Sequence, residues 1–213
     1  MSEIKHPAKY SKPLINIFKS MISDGDIVLD PFAGTGKIHE VSPNCVGVEI
    51  EEEWANLHKN NICGDSTELT KIFPCNSFDV ICTSPTYGNR MADHHVAKDG
   101  SKRNTYTHVL GRALKDSNTG RMQWGEKYRS LHTRVYKQCI EVLKDDGRFI
   151  LNMKNHIRKG KEVDVFGWHV TELIKLGFIL IRLEVVNLKG NGFGRNGDKR
   201  TGIEYVAMFK MNH

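Results

Sequence analysis

The sequence predicts an α/β fold built on an open, doubly wound, mostly parallel sheet. Short apolar runs alternate with helical patterns along the chain, and the first four runs are apolar enough to be buried on both faces of a sheet. This alternation implies parallel pairing with right-handed crossovers. The last two predicted strands have no helix between them, so we expect them to form an antiparallel pair.

Six apolar runs are predicted as strands, at residues 26–30, 45–50, 78–85, 147–154, 179–186 and 205–211, and a further strand is expected before Asp65. Helices are predicted at residues 51–60, 128–143 and 165–177. In the second helix, apolar side chains at helical spacing form one stripe, made of Leu131, Val135, Cys139 and Val142. Such a helix packs one face against the sheet.

Composition restricts the class of protein. The 213 residues carry a formal charge of +6, and 39% of them are hydrophobic, which predicts one globular domain. No apolar run approaches the roughly 18 residues of a membrane span, and the N-terminus lacks the apolar core of a signal peptide, so we expect a soluble, cytoplasmic protein. The five scattered cysteines predict reduced, mostly buried thiols and argue against disulfides or a structural zinc site.

Two polar, glycine-containing segments, residues 88–127 and 187–202, interrupt the alternation of strands and helices. Each lies just beyond the carboxyl end of a predicted strand, the side on which open α/β sheets bind their ligands. A long insert without predicted structure is typically functional or disordered. Basic residues are frequent in the first segment, and the positive net charge permits a polyanionic partner.

The first strand ends in D-P-F-A-G-T-G, residues 30–36. Gly34 and Gly36 allow a tight turn whose backbone approaches a ligand closely, but the Gly-Lys-Ser/Thr ending of a phosphate loop is missing. Asp30 opens the loop with a negative charge that suits a ligand amine. Glu49, at the end of the second strand, is placed to accept both hydroxyls of a ribose, and Asp65 is placed to meet an adenine amino group.

Together these three acids predict an adenosine that carries a cationic amino-acid tail, which is S-adenosylmethionine. Each residue also has a purely structural explanation. A lone G-x-G is a weak signal, and acidic residues after strands are common helix N-caps. The order of the three acids along the chain favours the cofactor.

The fourth strand ends in T-S-P-T-Y-G, residues 83–88. An exocyclic amino nitrogen is a poor nucleophile because its lone pair is delocalised into the ring. Ser84 and the Pro85 carbonyl can accept its two N–H bonds and direct the lone pair at a sulfonium methyl, while Tyr87 offers a face to a flipped base. Methylation of cytosine C5 needs a nucleophilic Cys next to a Pro, and Cys82 lies inside the strand. A plain β-turn is the alternative.

The two motifs, D-P-F-A-G-T-G and T-S-P-T-Y-G, resemble those of the S-adenosylmethionine-dependent amino-methyltransferases of DNA, the cytosine-N4 and adenine-N6 enzymes. The resemblance covers most of the chain. H-P-A-K-Y-S-K-P-L, residues 6–14, is similar to a further motif of that family, which lies near the methionine part of the cofactor. The resemblance implies a Rossmann-like methyltransferase sheet of seven strands whose last strand is antiparallel.

The resemblance also implies a role for each matching residue. The residues implied are Lys9, Asp30, Phe32, Gly34 and Gly36 for the methionine end, Glu49 for the ribose, Asp65 for the adenine, and Ser84, Pro85 and Tyr87 for the target base. Thr86 departs from the family, which usually has a second proline there, and this predicts a less rigid turn. Ser84 at the first position is commoner in cytosine-N4 enzymes, so cytosine is favoured over adenine.

Double-stranded DNA is the expected partner, and residues 88–127 are the expected DNA-contact segment. The candidates are Arg90, Lys102 and Arg103 for phosphates, and Asn104 and Tyr106 for base edges or stacking. Residues 154–161 and 194–200 can add backbone contacts, although a solvated basic surface is the alternative. No metal is expected, because Asp93-His94-His95 lacks partner ligands at a suitable spacing. The oligomeric state stays open.

Other functions fit the same motifs. An RNA methyltransferase acting on guanine N2 uses a similar turn, as does an enzyme that methylates a protein glutamine amide. A DNA-binding or inhibitory protein that keeps the fold without turnover is a further alternative, motivated by Thr86.

Overall fold

The computed structural model of the chain describes residues 10–89, 96, 100, 105–188 and 201–212. Within these residues the main sheet has seven strands: β1 (Val28–Asp30), β2 (Cys45–Glu49), β3 (Asn61–Cys63), β4 (Phe78–Thr83), β5 (Leu143–Met153), β8 (Phe178–Asn187) and β9 (Ile203–Met211). Two short strands between them, β6 (His156–Arg158) and β7 (Lys161–Val163), form a separate hairpin.

The main sheet has the order β3-β2-β1-β4-β5-β9-β8. Strands β1 to β5 pair in parallel, whereas β9 runs antiparallel to both of its neighbours, β5 and β8. The predicted α/β class and the antiparallel last strand are therefore confirmed. Because β9 inserts between β5 and β8, the strand at that edge of the sheet is β8.

The described helices are α1 (Lys12–Lys19), α2 (Glu52–Ala55), α3 (Leu69–Ile72), α4 (Tyr106–Leu110), α5 (Glu126–Val142) and α6 (Val165–Lys175). All four residues of the apolar stripe predicted for α5 are buried against the sheet. Helix α2 is shorter than the predicted span of residues 51–60. The chain turns after Ala55 to enter β3, and the Asn61 N–H donates to the His58 carbonyl at 3.0 Å.

Helix α1 lies outside the predicted set of elements. The Ser11 hydroxyl accepts the Leu14 N–H at the N-terminus of the helix, and Pro13 follows in the first turn, as is typical of helix starts. Its buried side chains, Leu14, Ile15 and Phe18, cover one face of the sheet.

The β6–β7 hairpin was also not predicted. Lys159 and Gly160 have φ values of 52° and 73°, which is typical of a tight two-residue turn between antiparallel strands. Residues 154–161, expected to be a basic segment at the rim of the site, therefore include β6 and this turn.

The sheet is covered on both faces. Helices α5 and α6 bury one face, and α1 buries the other. Successive strand residues alternate between the two cores, as the two-residue period of a strand requires: Ile81 and Phe149 belong to the first and Val80 and Ile150 to the second. Strands β4 and β5 are thus buried on both faces, and the ends of the parallel strands are left to shape the site.

The cysteines have the predicted state. Cys45, Cys82 and Cys139 are buried, Cys63 and Cys75 are exposed, and all five are free thiols. Across the described ranges, no helix is long and apolar enough to cross a membrane.

Candidate active site

A pocket of about 230 Å³ opens at the carboxyl ends of the parallel strands. It far exceeds the ~10–15 Å³ that a single water needs. Its wall contains eight of the residues predicted from sequence to bind a ligand: Phe32, Gly34, Glu49, Asp65, Ser84, Pro85, Tyr87 and Tyr106. The fold therefore brings the glycine loop and the T-S-P-T-Y-G turn to one cavity.

The glycine loop leaves β1 through left-handed backbone, with φ values of 53° at Gly34 and 81° at Gly36. Gly34 lines the pocket, whereas Gly36 lies behind it, where a Cβ would come within 2.9 Å of the His39 ring. Gly47 in β2 lets the loop lie close to the strand, because a Cβ there would lie 2.5 Å from the Ala33 Cβ.

Asp30 supports this loop from beneath and does not line the pocket. Its carboxylate, 1% exposed, accepts hydrogen bonds from the Tyr10 hydroxyl at 2.8 Å, the Phe32 N–H at 2.9 Å and the Thr83 hydroxyl at 2.6 Å. Burial raises the pKa of Asp30, and these hydrogen bonds oppose the rise. Asp30 thus joins the segment before α1, the glycine loop and the end of β4.

Glu49 joins the ends of two loops on the pocket wall. Its Oε2 accepts the Gly34 N–H and its Oε1 accepts the Glu51 N–H, both at 2.9 Å. Burial raises the pKa of Glu49 to about 7, against the effect of these two bonds. Each carboxylate oxygen has two lone pairs, so both can accept a further bond from a ligand.

Asp65 caps a turn and also lines the pocket. Its Oδ1 caps a single 3₁₀ turn by accepting the Thr67 N–H at 2.9 Å and the Thr67 hydroxyl at 2.8 Å. Asp65 also lines the pocket. The next residue, Ser66, donates its hydroxyl proton to the Pro31 carbonyl and so ties this turn to the glycine loop.

The Ser84 side chain has a fixed orientation in the T-S-P-T-Y-G turn. Its hydroxyl donates to Asn152 Oδ1 at 2.8 Å, and Asn152 Nδ2 donates to the Tyr205 carbonyl at 3.1 Å. Asn152 is fully buried in β5. With its proton committed to Asn152, the Ser84 oxygen presents lone pairs, and so acts as an acceptor. The Tyr87 hydroxyl lies 3.5 Å from it.

A buried hydrogen-bond relay holds the next part of the turn. The Tyr128 hydroxyl donates to the Thr86 carbonyl at 2.5 Å and lies 2.9 Å from His169 Nε2, while the Tyr136 hydroxyl lies 2.6 Å from His169 Nδ1. Because Tyr128 has given its only proton to a carbonyl, His169 Nε2 donates to Tyr128 and Nδ1 accepts from Tyr136. Burial lowers the pKa of His169 well below its usual value, which keeps this neutral tautomer.

The wall residues to which the sequence analysis gave no role include Tyr10, Asn152 and Glu204. Glu204, in β9, stands on the same wall as Ser84 and Tyr87, and burial raises its pKa. The available signal for Asn152 was an amide inside the apolar run of residues 149–153. Glu204 follows a glycine-rich segment and carries no comparable signal.

The described part of the insert folds onto the domain around Glu51, whose side chain is fully buried. Glu51 accepts hydrogen bonds from the Lys115 N–H and Asn118 Nδ2 and pairs with Arg112 at 2.7 Å. Burial of this kind is tolerated when a charge is paired and fully hydrogen-bonded. Arg112 is therefore held by acids of the domain itself.

Tyr106, expected to contact bases, is 3% exposed. Its ring packs edge-to-face on Trp54, with the centroids 5.4 Å apart, and both residues line the pocket. The insert thus contributes part of the pocket wall.

Several predicted residues lie outside the described part of the chain. They are Lys9, Arg90, Lys102, Arg103 and Asn104, together with the Asp93-His94-His95 cluster and residues 194–200. Among the residues that are described, no group of three or more His, Cys, Asp or Glu side chains could hold a metal ion.

Three solved structures similar to this chain illustrate its fold. TrmN from Thermus thermophilus matches with a TM-score of 0.53 and 15% identity over 93% of this chain and 48% of TrmN. A precorrin 8w decarboxylase from Methanobacterium thermoautotrophicum matches with a TM-score of 0.55 and 12% identity over 97% of this chain and 93% of the other. A SAM-dependent methyltransferase from Methanosarcina mazei matches with a TM-score of 0.58 and 13% identity over 96% and 99%. No protein-family model and no curated protein matches the sequence.

These similarities establish the fold. The chain has the Rossmann-like sheet of SAM-dependent methyltransferases, as the sequence predicted. It spans about half the length of TrmN, 48%. A precorrin decarboxylase shares the same architecture, so the substrate has to be argued from the site and not from the fold.

Proposed function

We propose that this protein is an S-adenosylmethionine-dependent DNA methyltransferase that modifies an exocyclic amino nitrogen of a flipped base, with cytosine N4 favoured over adenine N6. One observation carries the proposal. The glycine loop and the Ser84–Tyr87 turn, which follow different strands, form walls of a single pocket. Cofactor and target nitrogen can therefore meet within it.

The composition of the wall fits this cofactor. Glu49 and Asp65 offer carboxylate acceptors for ribose hydroxyls and an adenine amino group, and apolar surface from Val48 and Trp54 lies beside them. Asp30, beneath the loop, places a carboxylate behind the end of the pocket that would take the cationic amino-acid tail. S-adenosylmethionine, when bound, supplies an electrophilic methyl group on a sulfonium.

The Ser84–Tyr87 turn provides the acceptors that an amino nitrogen needs. Ser84 Oγ, oriented by Asn152, and the Pro85 carbonyl take the two N–H bonds and favour a pyramidal nitrogen whose lone pair is free to attack. Tyr87 lines the same wall and offers its ring to the base. The relay through Tyr128 fixes the Thr86 carbonyl, and so holds the turn without the second proline.

Methyl transfer forms a nitrogen–carbon bond, breaks the carbon–sulfur bond, and leaves an extra proton on the target nitrogen. Glu204 lines the pocket with Ser84 and Tyr87, and its charge acts on the Tyr87 hydroxyl, so we assign it as the acceptor of that proton. Because burial raises its pKa, it binds a proton more readily than a free glutamate does.

The test is transfer of radiolabelled methyl groups from S-adenosylmethionine to unmethylated genomic DNA, with tRNA as a parallel substrate. The wild type should label DNA, and Ser84→Ala should lose most of this activity while it binds the cofactor with unchanged affinity. Label found only in tRNA would favour an RNA methyltransferase. Cofactor binding without transfer to either would favour the non-catalytic alternative.

A further inference from the structure

Strand β8 forms an unusual edge of the main sheet. It is ten residues long and, among the described strands, pairs only with β9, whereas the strand at the opposite edge, β3, has three residues. A long edge presents unpaired N–H and C=O groups that recruit other strands, and proteins commonly shorten, charge or cover such edges.

Several apolar side chains along this edge are exposed. Ile179, Ile181, Leu183 and Val185 are each between 45% and 52% exposed. We call these four residues the edge patch. The irregularity between Leu180 and Arg182 separates Ile179 from Leu183 and Val185, which share one face of the sheet. Scattered single apolar residues are ordinary on a surface, but several exposed on one free strand favour association.

We propose that β8 pairs antiparallel with β8 of a second copy of this chain, about a two-fold axis at Leu183, so that the two sheets become one. A two-fold axis makes the interface self-complementary, since residue i then contacts residue j and residue j contacts residue i. Leu183 would lie opposite Leu183 of the partner subunit.

The charges on β8 favour this register. Side chains alternate between the faces of a sheet, so the symmetric registers are those centred on a residue. A register centred on Arg182 or on Glu184 places like charges directly opposite each other, which is destabilising. The register centred on Leu183 places Arg182 opposite Glu184 of the partner subunit. By symmetry, Glu184 lies opposite Arg182 of the partner subunit.

Within one chain, Arg182 Nε already lies 3.0 Å from Glu184 Oε1. Pairing at Leu183 would extend these two ion pairs into an alternating network of four charges. The strand is regular from Arg182 onward, because its irregularity in pairing with β9 lies between Leu180 and Arg182. The central residues of the proposed contact therefore have ordinary strand geometry.

The experiment is sedimentation equilibrium of the full chain over about a hundredfold range of concentration. The wild type should approach twice its 24.2 kDa monomer mass. Arg182→Glu and Glu184→Arg should each raise the dimer dissociation constant at least about tenfold through repulsion at the axis. Circular dichroism and thermal unfolding should show that both variants remain folded.

Mixing the two variants provides the decisive control. Each alone places like charges opposite each other, but a mixed dimer pairs Glu residues of one chain with Arg residues of the other, so mixing should restore the dimer. Misfolding or an interface elsewhere would not respond to mixing. A wild type that stays monomeric, a dimer indifferent to both substitutions, or a mixture that remains monomeric would overturn the proposal.

Discussion

The Ser84 hydroxyl donates its proton to Asn152 Oδ1 at 2.8 Å, which joins the turn after β4 to the carboxyl end of β5. Asn152 is itself held by its bond to the Tyr205 carbonyl in β9. The acceptor character of Ser84 is therefore set by two neighbouring strands of a rigid sheet. A site built on strands in this way holds its groups more accurately than a site on loops alone.

This coupling predicts that Ser84 and Asn152 act as one unit. Ser84→Ala and Asn152→Ala should each lower kcat at least about tenfold, and the double variant should be no slower than the slower single variant. Affinity for S-adenosylmethionine should stay within about twofold in all three. The measurement is a double-mutant cycle on kcat, and additive losses would show that Asn152 acts by a route other than Ser84.

Tyr128 is predicted to replace the rigidity that a second proline would supply. Tyr128→Phe removes the hydroxyl and leaves the Thr86 carbonyl and His169 Nε2 without partners, which should cost about 1–3 kcal/mol of unfolding free energy. It should also slow turnover about tenfold. Thr86→Pro is the control for Tyr128→Phe, because proline keeps the backbone carbonyl that accepts the Tyr128 hydrogen bond.

If the relay already holds the turn, Thr86→Pro should change kcat by less than about threefold. Denaturant unfolding and steady-state kinetics check both variants. A strong gain of activity in Thr86→Pro would show that the natural turn is too loose and would favour a protein that has lost turnover.

Asp30 is predicted to control cofactor affinity indirectly. The Asp30 carboxylate accepts three hydrogen bonds and is 1% exposed. In Asp30→Asn, an NH2 group replaces one of the two carboxylate oxygens, so a donor would face one of these donors. The glycine loop should shift, and affinity for S-adenosylmethionine should fall at least about tenfold in calorimetry. Tyr10→Phe removes only one of the three bonds and should have a smaller effect. Wild-type affinity in Asp30→Asn would contradict the assignment of the loop.

Glu49 is predicted to make stability depend on pH. Its pKa is raised from a usual 4.5 to about 7, so between these values the folded chain holds a proton that the unfolded chain has lost. The free energy of unfolding contributed by Glu49 should therefore fall by about 3 kcal/mol as the pH rises through this window.

Glu49→Gln cannot titrate. The unfolding free energy of the wild type minus that of the variant should therefore fall as the pH rises through the same window. Urea unfolding at several pH values measures it, and other titrating groups, such as the buried His132, cancel in the difference. A difference that does not change with pH would show that Glu49 stays ionised in the folded chain.

Glu204 is predicted to take the proton that the target nitrogen loses. The ionised form of Glu204 accepts the proton, and its population increases as the pH rises through the raised pKa of this residue. The wild-type rate should therefore rise with pH through that pKa. Glu204→Gln should lower kcat and remove this rise, and Glu204→Asp should restore part of both. A pH–rate profile unchanged in Glu204→Gln would exclude this role.

The residues predicted best from the sequence lie at strand ends. Gly34, Glu49 and Ser84 each follow an apolar run, and the carboxyl ends of parallel strands meet at one edge of a sheet, so their convergence follows from the fold class. The placement of Asp30 could not be predicted, because it depends on Tyr10, a contact twenty residues away. Position in a motif does not show which face of a loop a side chain takes.

Other features depended on pairing between distant strands. Glu204 reaches the site because β9 inserts beside β5, a neighbour relation that alternation of strands and helices does not specify. Helix α1 was predictable in principle, since Ser11 followed by Pro13 is a typical helix start. Its short apolar stripe was the weaker signal.

The most direct test of the central claim is mass spectrometry of nucleosides from unmethylated DNA incubated with the wild type and S-adenosylmethionine that carries a deuterated methyl group. The account predicts deuterated N4-methylcytosine, or N6-methyladenine as the alternative, in the DNA, and neither product with Ser84→Ala. A deuterated methyl on cytosine C5, or labelled nucleosides only in a parallel tRNA sample, would contradict it.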